Sequence, residues 1–261
     1  MRRVIVALAF VLLATSAYAD DRSGSLIVFP GSLSASVGTI GAAEAGNVVT
    51  TVRTEQSVAL WRIGSALIGG TVVAGTSTDL DGYAWNRTQP YTVGAKVMTS
   101  TAIGVVHATA GVSGVRAAAG SGLAPALVVS YWNDWRPSAG IRFGKFFPGH
   151  LSATSGLITA AERGNWITNI TFEQGATLWR TTGFDIIPYG SAGFAADTHG
   201  HQWNNRTLTD GGLKFRRAVF GGVADVRVAY RVDRNRQTDR VTAGPVVVTS
   251  FWLGWQPRYG R

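Results

Sequence analysis

The chain has 261 residues, with 24 Lys and Arg against 15 Asp and Glu, a net charge of +9, 33 glycines, nine tryptophans and no cysteine. Without cysteine there can be no disulfide, thiolate metal site or cysteine nucleophile. The arginines are dispersed rather than clustered, which argues against a nucleic-acid surface, and no apolar run reaches the ~20 residues that a membrane-crossing helix needs.

Residues 1–19 read as a secretory signal peptide. Arg2 and Arg3 give the basic start, Val4 to Ala14 the apolar run, and Ala17-Tyr18-Ala19 the small-x-small cleavage site. Residues 20–261 are then expected to form one exported body.

That body reads as a tandem duplication of a six-strand unit, with repeats at about 24–137 and 139–257. At an offset of 118, 19 of the 34 positions from 29 to 62 are identical. The matches include Phe29-Pro30-Gly31 with Phe147-Pro148-Gly149, Glu55-Gln56 with Glu173-Gln174, and Leu60-Trp61-Arg62 with Leu178-Trp179-Arg180. After a two-residue slip, SYWNDWRP at 130–137 aligns with SFWLGWQP at 250–257. Such a period is the signature of a part used more than once.

In chain order, alternation predicts strands at 24–30, 46–62, 63–79, 87–99, 102–116 and 123–135. The second repeat follows with 139–148, 165–180, 185–197, 205–217, 221–235 and 240–255. Residues 221–234 show the pattern best: Val223, Asp225, Arg227, Ala229, Arg231 and Asp233 share one face, and Ala224, Val226, Val228, Tyr230 and Val232 the other. Several runs exceed a dozen residues, whereas soluble strands average ~5–6 and a tilted membrane-spanning strand needs ~9–11. The fold class expected is all-β: an antiparallel transmembrane β-barrel of about 12 strands.

Aromatic residues near strand ends (Trp61, Trp132, Trp135, Phe146, Phe147, Trp179, Trp252 and Trp255) are expected to form interfacial girdles. The polar faces would then line a lumen with Arg53, Glu55, Lys96, Glu173, Lys214, Arg216, Asp225, Arg227, Arg231 and Asp233. Facing inward, these charges can pair across strands. They would form either an ionic plug or a basic-tinged channel.

DLDGYAWNR at 79–87 and DTHGHQWNN at 197–205 share the skeleton D-x-x-G-x-x-W-N. Asp and Asn can hydrogen-bond turn backbone and Gly permits a positive φ, so each reads first as a hairpin device. Trp85, Trp203, Asn86 and Asn204 are candidate glycan contacts. His199 and His201 belong to the second copy alone; two ligands do not make a metal site, so none is expected. The serine–histidine pairings Ser191 with His199 and Ser113 with His107 come without a G-x-S-x-G signature, so no catalytic residue is expected.

Glu162-Arg163-Gly164-Asn165-Trp166, Glu173-Gln174-Gly175, Ile187-Pro188-Tyr189, Asp197 to Asn205, Gly212-Leu213-Lys214 and Trp252 to Trp255 occur in that order. This order resembles a barrel domain of exopolysaccharide-operon proteins and the C-terminal domain of the phage-adsorption receptor family. The resemblance covers most of the second repeat and, more weakly, the first. It implies an outer-membrane location and a link to polysaccharide. The function expected is therefore export or surface anchoring of an exopolysaccharide, as a porin-like channel or scaffold without enzymatic activity or cofactor. Outer-membrane lipid, the polysaccharide and other envelope export proteins would be its partners, and nucleic acid would not. Two other readings stand beside it: a soluble periplasmic carbohydrate-binding protein of two tandem β-domains, and an outer-membrane lipid hydrolase.

Overall fold

Strict alternation of side chains fixes which face of each strand can meet lipid, so a one-residue register slip would turn every charge outward. The structure, a computed structural model, describes residues 30–39, 46–83, 86–117, 120–135, 147–181 and 183–255. Within them lie β1 (Gly31–Thr39), β2 (Val48–Ile63), β3 (Ala66–Asp79), β4 (Thr88–Thr101), β5 (Gly104–Ala117) and β6 (Gly120–Trp135). The chain continues with β7 (Gly149–Leu157), β8 (Ile167–Gly175), β9 (Trp179–Arg180), β10 (Asp185–Asp197), β11 (Arg206–Val219), β12 (Gly222–Asn235) and β13 (Val241–Trp255). Apart from β8 and β9, each pairs antiparallel with its chain neighbours, and β1 closes on β13 with Gly31 opposite Trp255 and Gly38 opposite Val248. Because β8 and the short β9 both pair along β10, they form one stave, and the result is a closed barrel of twelve.

The predicted first strands need correction. Strands run over Gly31–Thr39 and Gly149–Leu157, where none was expected; of the strands expected at 24–30 and 139–148, residues 24–29 and 139–146 lie outside the described residues, and Pro30, Phe147 and Pro148 are not strand. Each proline carbonyl caps the neighbouring strand, accepting from Ser57 N and Gly175 N at 2.8 Å. β1 and β7 are rich in Ser, Ala and Gly, so they carry little apolar alternation and read as loop. The single strand expected over 165–180 is also interrupted: residues 176–178 lose regular strand geometry between β8 and β9, although Ala176 N and Leu178 N still donate to the Pro188 and Ile186 carbonyls of β10. At the matching place β2 shows a register shift between Ala59 and Trp61.

The outer face is apolar. Val72, Val93, Val112, Leu127, Phe172 and Val228 are each 44–53% exposed. Where a strand lacks a side chain on this face, a neighbour covers the gap: a Cβ on Gly114 would lie 2.0 Å from the Tyr91 ring. In a closed antiparallel sheet every strand edge is paired, which is what allows strands to sit in hydrocarbon. The outward belt is thus a surface for membrane lipid.

The halves β1–β6 and β7–β13 do not close separately. β6 pairs with β7, from Leu127 opposite Leu157 to Trp135 opposite Gly149, and β13 pairs with β1. Two tandem β-domains are therefore replaced by one barrel.

Candidate functional site: the lumen and its mouths

The ten charges predicted for the lumen all fall on inward register positions, and pairing between staves follows directly. Glu55 on β2 meets Lys96 on β4. At the equivalent places, 118 residues on, Glu173 meets Lys214. Around Glu173 the network thickens. Arg227 Nη1 lies 3.2 Å from its Oε2 and His150 Nδ1 lies 3.7 Å from its Oε1. Arg216 Nε donates to Asp225 at 2.9 Å, and Arg231 holds Asp210 by two bonds of 2.6 and 2.7 Å. Arg206 closes the row on Asp233 at 3.2 Å. The Tyr189 ring lies 4.9 Å below Lys214 Nζ, with Ala229 and Val246 packed against it. Lys214 is only 1% exposed. This half of the interior, under β8 and β10–β13, is filled.

The other half is open. There the inward positions carry small and hydroxyl side chains, including Ser32, Thr51, Gly75, Ser77 and Thr109, and they surround a cavity of about 1980 Å³. Its lining carries four cations, Arg53, Lys96, Arg206 and Arg240, against three carboxylates, Glu55, Glu162 and Asp233. Lys96 and Arg206 are engaged by Glu55 and Asp233. Arg53 and Arg240 leave the cavity with a cationic surplus.

One mouth carries the two D-x-x-G-x-x-W-N loops. Asp197, at the end of β10, accepts from Gly200 N at 2.7 Å, His201 N at 3.0 Å, and the amides of Asn165, Asn204 and Asn205 at 2.8, 2.9 and 2.8 Å. Burial works to raise the pKa of this carboxyl. The amide donors outweigh it and hold the group well below the usual carboxylate range. Asp79 repeats the arrangement with Asn47, Asn86, Gly82 N and Tyr83 N. Gly82 and Gly200 take φ of 78° and 72°, which explains the glycine in each loop. The hairpin reading therefore accounts for Asn86 and Asn204, whose amides are used internally.

Trp203 has a different role. It is 61% exposed, its Nε1 donates to Glu162 at 2.9 Å, and His201 stacks on it at 4.5 Å with the rings 9° apart. His199 meets His201 edge-on at 5.6 Å. The histidines thus complete an aromatic platform at the cavity's mouth; Trp85 lies outside the described residues. Glu162, Asp197 and His201 bring potential metal-ligand atoms within 4.8 Å of one another, a grouping that the His199-x-His201 spacing does not announce. Both carboxylates already accept N–H donors, Glu162 from Trp203 and Asn204. A cation there would have to release the platform. The two serine–histidine pairings come apart: Ser113 and His107 lie six residues apart on β5, about 20 Å at a strand's rise. Ser191 lies as far again from the end of β10, beyond which His199 begins.

At the opposite mouth, where β1 starts and β13 ends, the girdle expectation divides. Trp61 and Trp179 are 62% and 64% exposed on the outside. Trp132 and Trp252 instead point inward, opposite Val105 and Val223 on the lumen face, and stack on each other at 6.2 Å with an interplanar angle of 26°. The sequence held the signal: in β6, Trp132 shares its parity with Ser130 and Asp134, while Leu127, Val129 and Tyr131 occupy the lipid side. Trp255 Nε1 donates to Gln56 at 3.2 Å. Phe146 and the side chain of Trp135 lie outside the described residues.

No protein-family model matches the chain, and no curated protein does. Solved structures with a similar course of chain include autotransporter domains and an outer membrane channel. The β domain of the Bordetella autotransporter Brka matches at 11% identity, covering 88% of this chain and 99% of that one, with a TM-score of 0.43. An outer membrane channel from Pseudomonas putida F1 matches at 6% identity, covering 91% and 100%, with a TM-score of 0.44. The translocator domain of the autotransporter NalP from Neisseria meningitidis matches at 12% identity, covering 99% and 96%, with a TM-score of 0.39. The chain's own strand pairing makes it a closed antiparallel barrel of twelve staves with an apolar outer belt, the architecture of a membrane β-barrel.

Proposed function

We propose that this barrel serves the export or surface anchoring of an exopolysaccharide, with the open half of the lumen as its path. The observation that carries the reading is the continuity of one cavity of about 1980 Å³. Its lining runs from Gln202, Trp203 and Arg240 at the loop mouth to Trp132, Trp252 and Gly254 at the terminal mouth. Hydroxyl-bearing walls, flat aromatic faces and surplus cations suit a hydrated, anionic sugar polymer better than an apolar solute. The order of motifs shared with exopolysaccharide-operon barrels points the same way. Short turns mark the periplasmic end of such barrels and longer loops the outside. The short turns at 63–66, 101–104 and 219–222 support an orientation with the terminal mouth toward the periplasm and the Trp203 platform outward.

The test is made in the native host. Deletion of the gene should lower the polysaccharide recovered at the cell surface, and the wild-type gene should restore it. Unchanged surface polysaccharide in the deletion strain would overturn the reading. Membrane fractionation gives a second check, with the protein expected in the detergent-soluble outer-membrane fraction.

A further inference from the structure

Trp132 and Trp252 stand on β6 and β13, six staves apart around a ring of twelve, so their side chains come from opposite walls. They meet at 6.2 Å across the lumen, yet remain 41% and 44% exposed. Val105 and Val223 stand directly opposite them, and the rest of their inward surroundings is small: Ser32, Ser34, Ser130, Ser152 and Gly254. An indole is among the bulkiest side chains, and two of them bridging the bore beside serines and a glycine are not packing against a core. Buried aromatic pairs fill space that is otherwise closed; this pair is flanked by open cavity on the lumen side.

We infer that Trp132 and Trp252 form a sugar-ring subsite at the terminal mouth, which also seals the resting lumen. With no ligand the two faces satisfy each other and present an apolar constriction that resists wetting. A pyranose ring offers a flat apolar C–H face of similar extent, so it can replace one indole against the other. Its hydroxyls would then reach the serines beside the pair. The 26° splay already opens the stack on one side. A chain of such rings can thus enter where small ions are held back. The assignment rests on the conduit reading above, and it adds the element that decides what enters.

The test uses the full-length protein in planar bilayers in potassium chloride, with maltohexaose as the probe chain. The wild type is expected to pass little current, and Trp132→Ala or Trp252→Ala each to raise it at least about threefold. The double variant should add little to either, because one indole alone cannot close the bore. Trp252→Leu serves where an alanine variant fails to fold. Maltohexaose should block the residual wild-type current and lose at least about tenfold in blocking affinity in Trp252→Leu. Far-ultraviolet circular dichroism should show an exciton couplet from the stacked indoles that both single variants abolish.

A wild type that conducts as freely as Trp132→Ala overturns the seal while leaving the conduit intact. Equal block by maltohexaose in the wild type and Trp252→Leu overturns the subsite. A double variant that passes no current overturns the conduit as well.

Discussion

Asn165 donates its side-chain amide to Asp197 at 2.8 Å across 32 residues of chain, tying the entry of β8 to the exit of β10. Asn47 does the same for Asp79 at 3.0 Å. Both asparagines are 1% exposed; Asn165 Nδ2 also donates to Glu162, so loss of Asp197 removes one of its two acceptors where no water can replace it. Asp197→Ala is expected to loosen the 197–206 loop by about 1.5–3 kcal/mol while leaving the barrel closed. Limited trypsin digestion reads this directly, as about ten- to a hundredfold faster cleavage after Arg163 and Arg236. An unchanged digestion pattern would remove Asp197 from its organising role.

The same carboxyl gives the loop a pH dependence of fixed sign. Its folded pKa is depressed because the amide donors favour the charged form over the cost of burial. Its stabilisation is therefore fully present above the ordinary carboxylate value of 3.8. It is lost only as the pH falls below that value toward the folded pKa. Trypsin is inactive there, so pepsin should be used. Protection of the loop should weaken progressively below the ordinary value, and Asp197→Asn should flatten that change. Protection that disappears already between neutral pH and the ordinary carboxylate range would contradict the assignment.

The parts legible in the sequence were those governed by period-two alternation. β10, β12 and β13 lie within a residue of their expected bounds, and parity alone turned Arg227 inward and Val228 outward. β1 and β7 are not legible because Gly31–Thr39 and Gly149–Leu157 are rich in Ser, Ala and Gly, whose faces differ too little in hydropathy to declare a strand. The loop device was legible from D-x-x-G-x-x-W-N, but its reach to Glu162 and Asn165 was not, because those partners lie 35 and 32 positions from Asp197. By residue type Trp132 and Trp252 belong in a girdle, whereas their own strand parity points to the lumen. Where type and parity disagree in a barrel strand, parity decides.

Glu173 serves Lys214, Arg227 and His150 together, which makes the two members of its central pair unequal. Lys214→Met leaves the carboxylate with Arg227. Glu173→Leu leaves two cations in the filled half without their shared anion, and breaking a buried pair this way costs about 3–5 kcal/mol. Glu173→Leu should therefore lower the unfolding midpoint in urea well below that of Lys214→Met. The double variant should recover much of the loss, since both charges then leave together. Equal effects of the two single substitutions would mean that the network is not centred on Glu173.

Val228 lies at the middle of β12 and is 49% exposed on the outer face, whereas Thr109 faces the cavity. An arginine at the hydrocarbon midplane costs about 2–4 kcal/mol, but the same side chain in a water-filled lumen keeps its hydration. Val228→Arg should reduce folding into lipid vesicles by that amount, and Thr109→Arg should fold as the wild type does. The heat-modifiable gel shift of folded barrels provides the readout. If Val228→Arg folds equally well, the outer belt does not contact lipid.

Arg53 projects from β2 into the open half, beside the Glu55–Lys96 pair and on the cavity wall. Lys96 and Arg206 are paired with Glu55 and Asp233, so the field along the path is set by Arg53 and Arg240 against the one remaining carboxylate, Glu162, a net surplus of one cation. A channel with this balance should prefer anions. Arg53→Glu exchanges one surplus cation for an anion, so it should move the reversal potential in a potassium chloride gradient toward that of potassium. Arg227→Gln lies in the filled half and should leave the potential near the wild-type value. To make the small ion flux measurable, both substitutions are placed in the Trp252→Ala background. A reversal potential that Arg53→Glu does not move would mean that ions take a route other than the cavity beneath β2–β5.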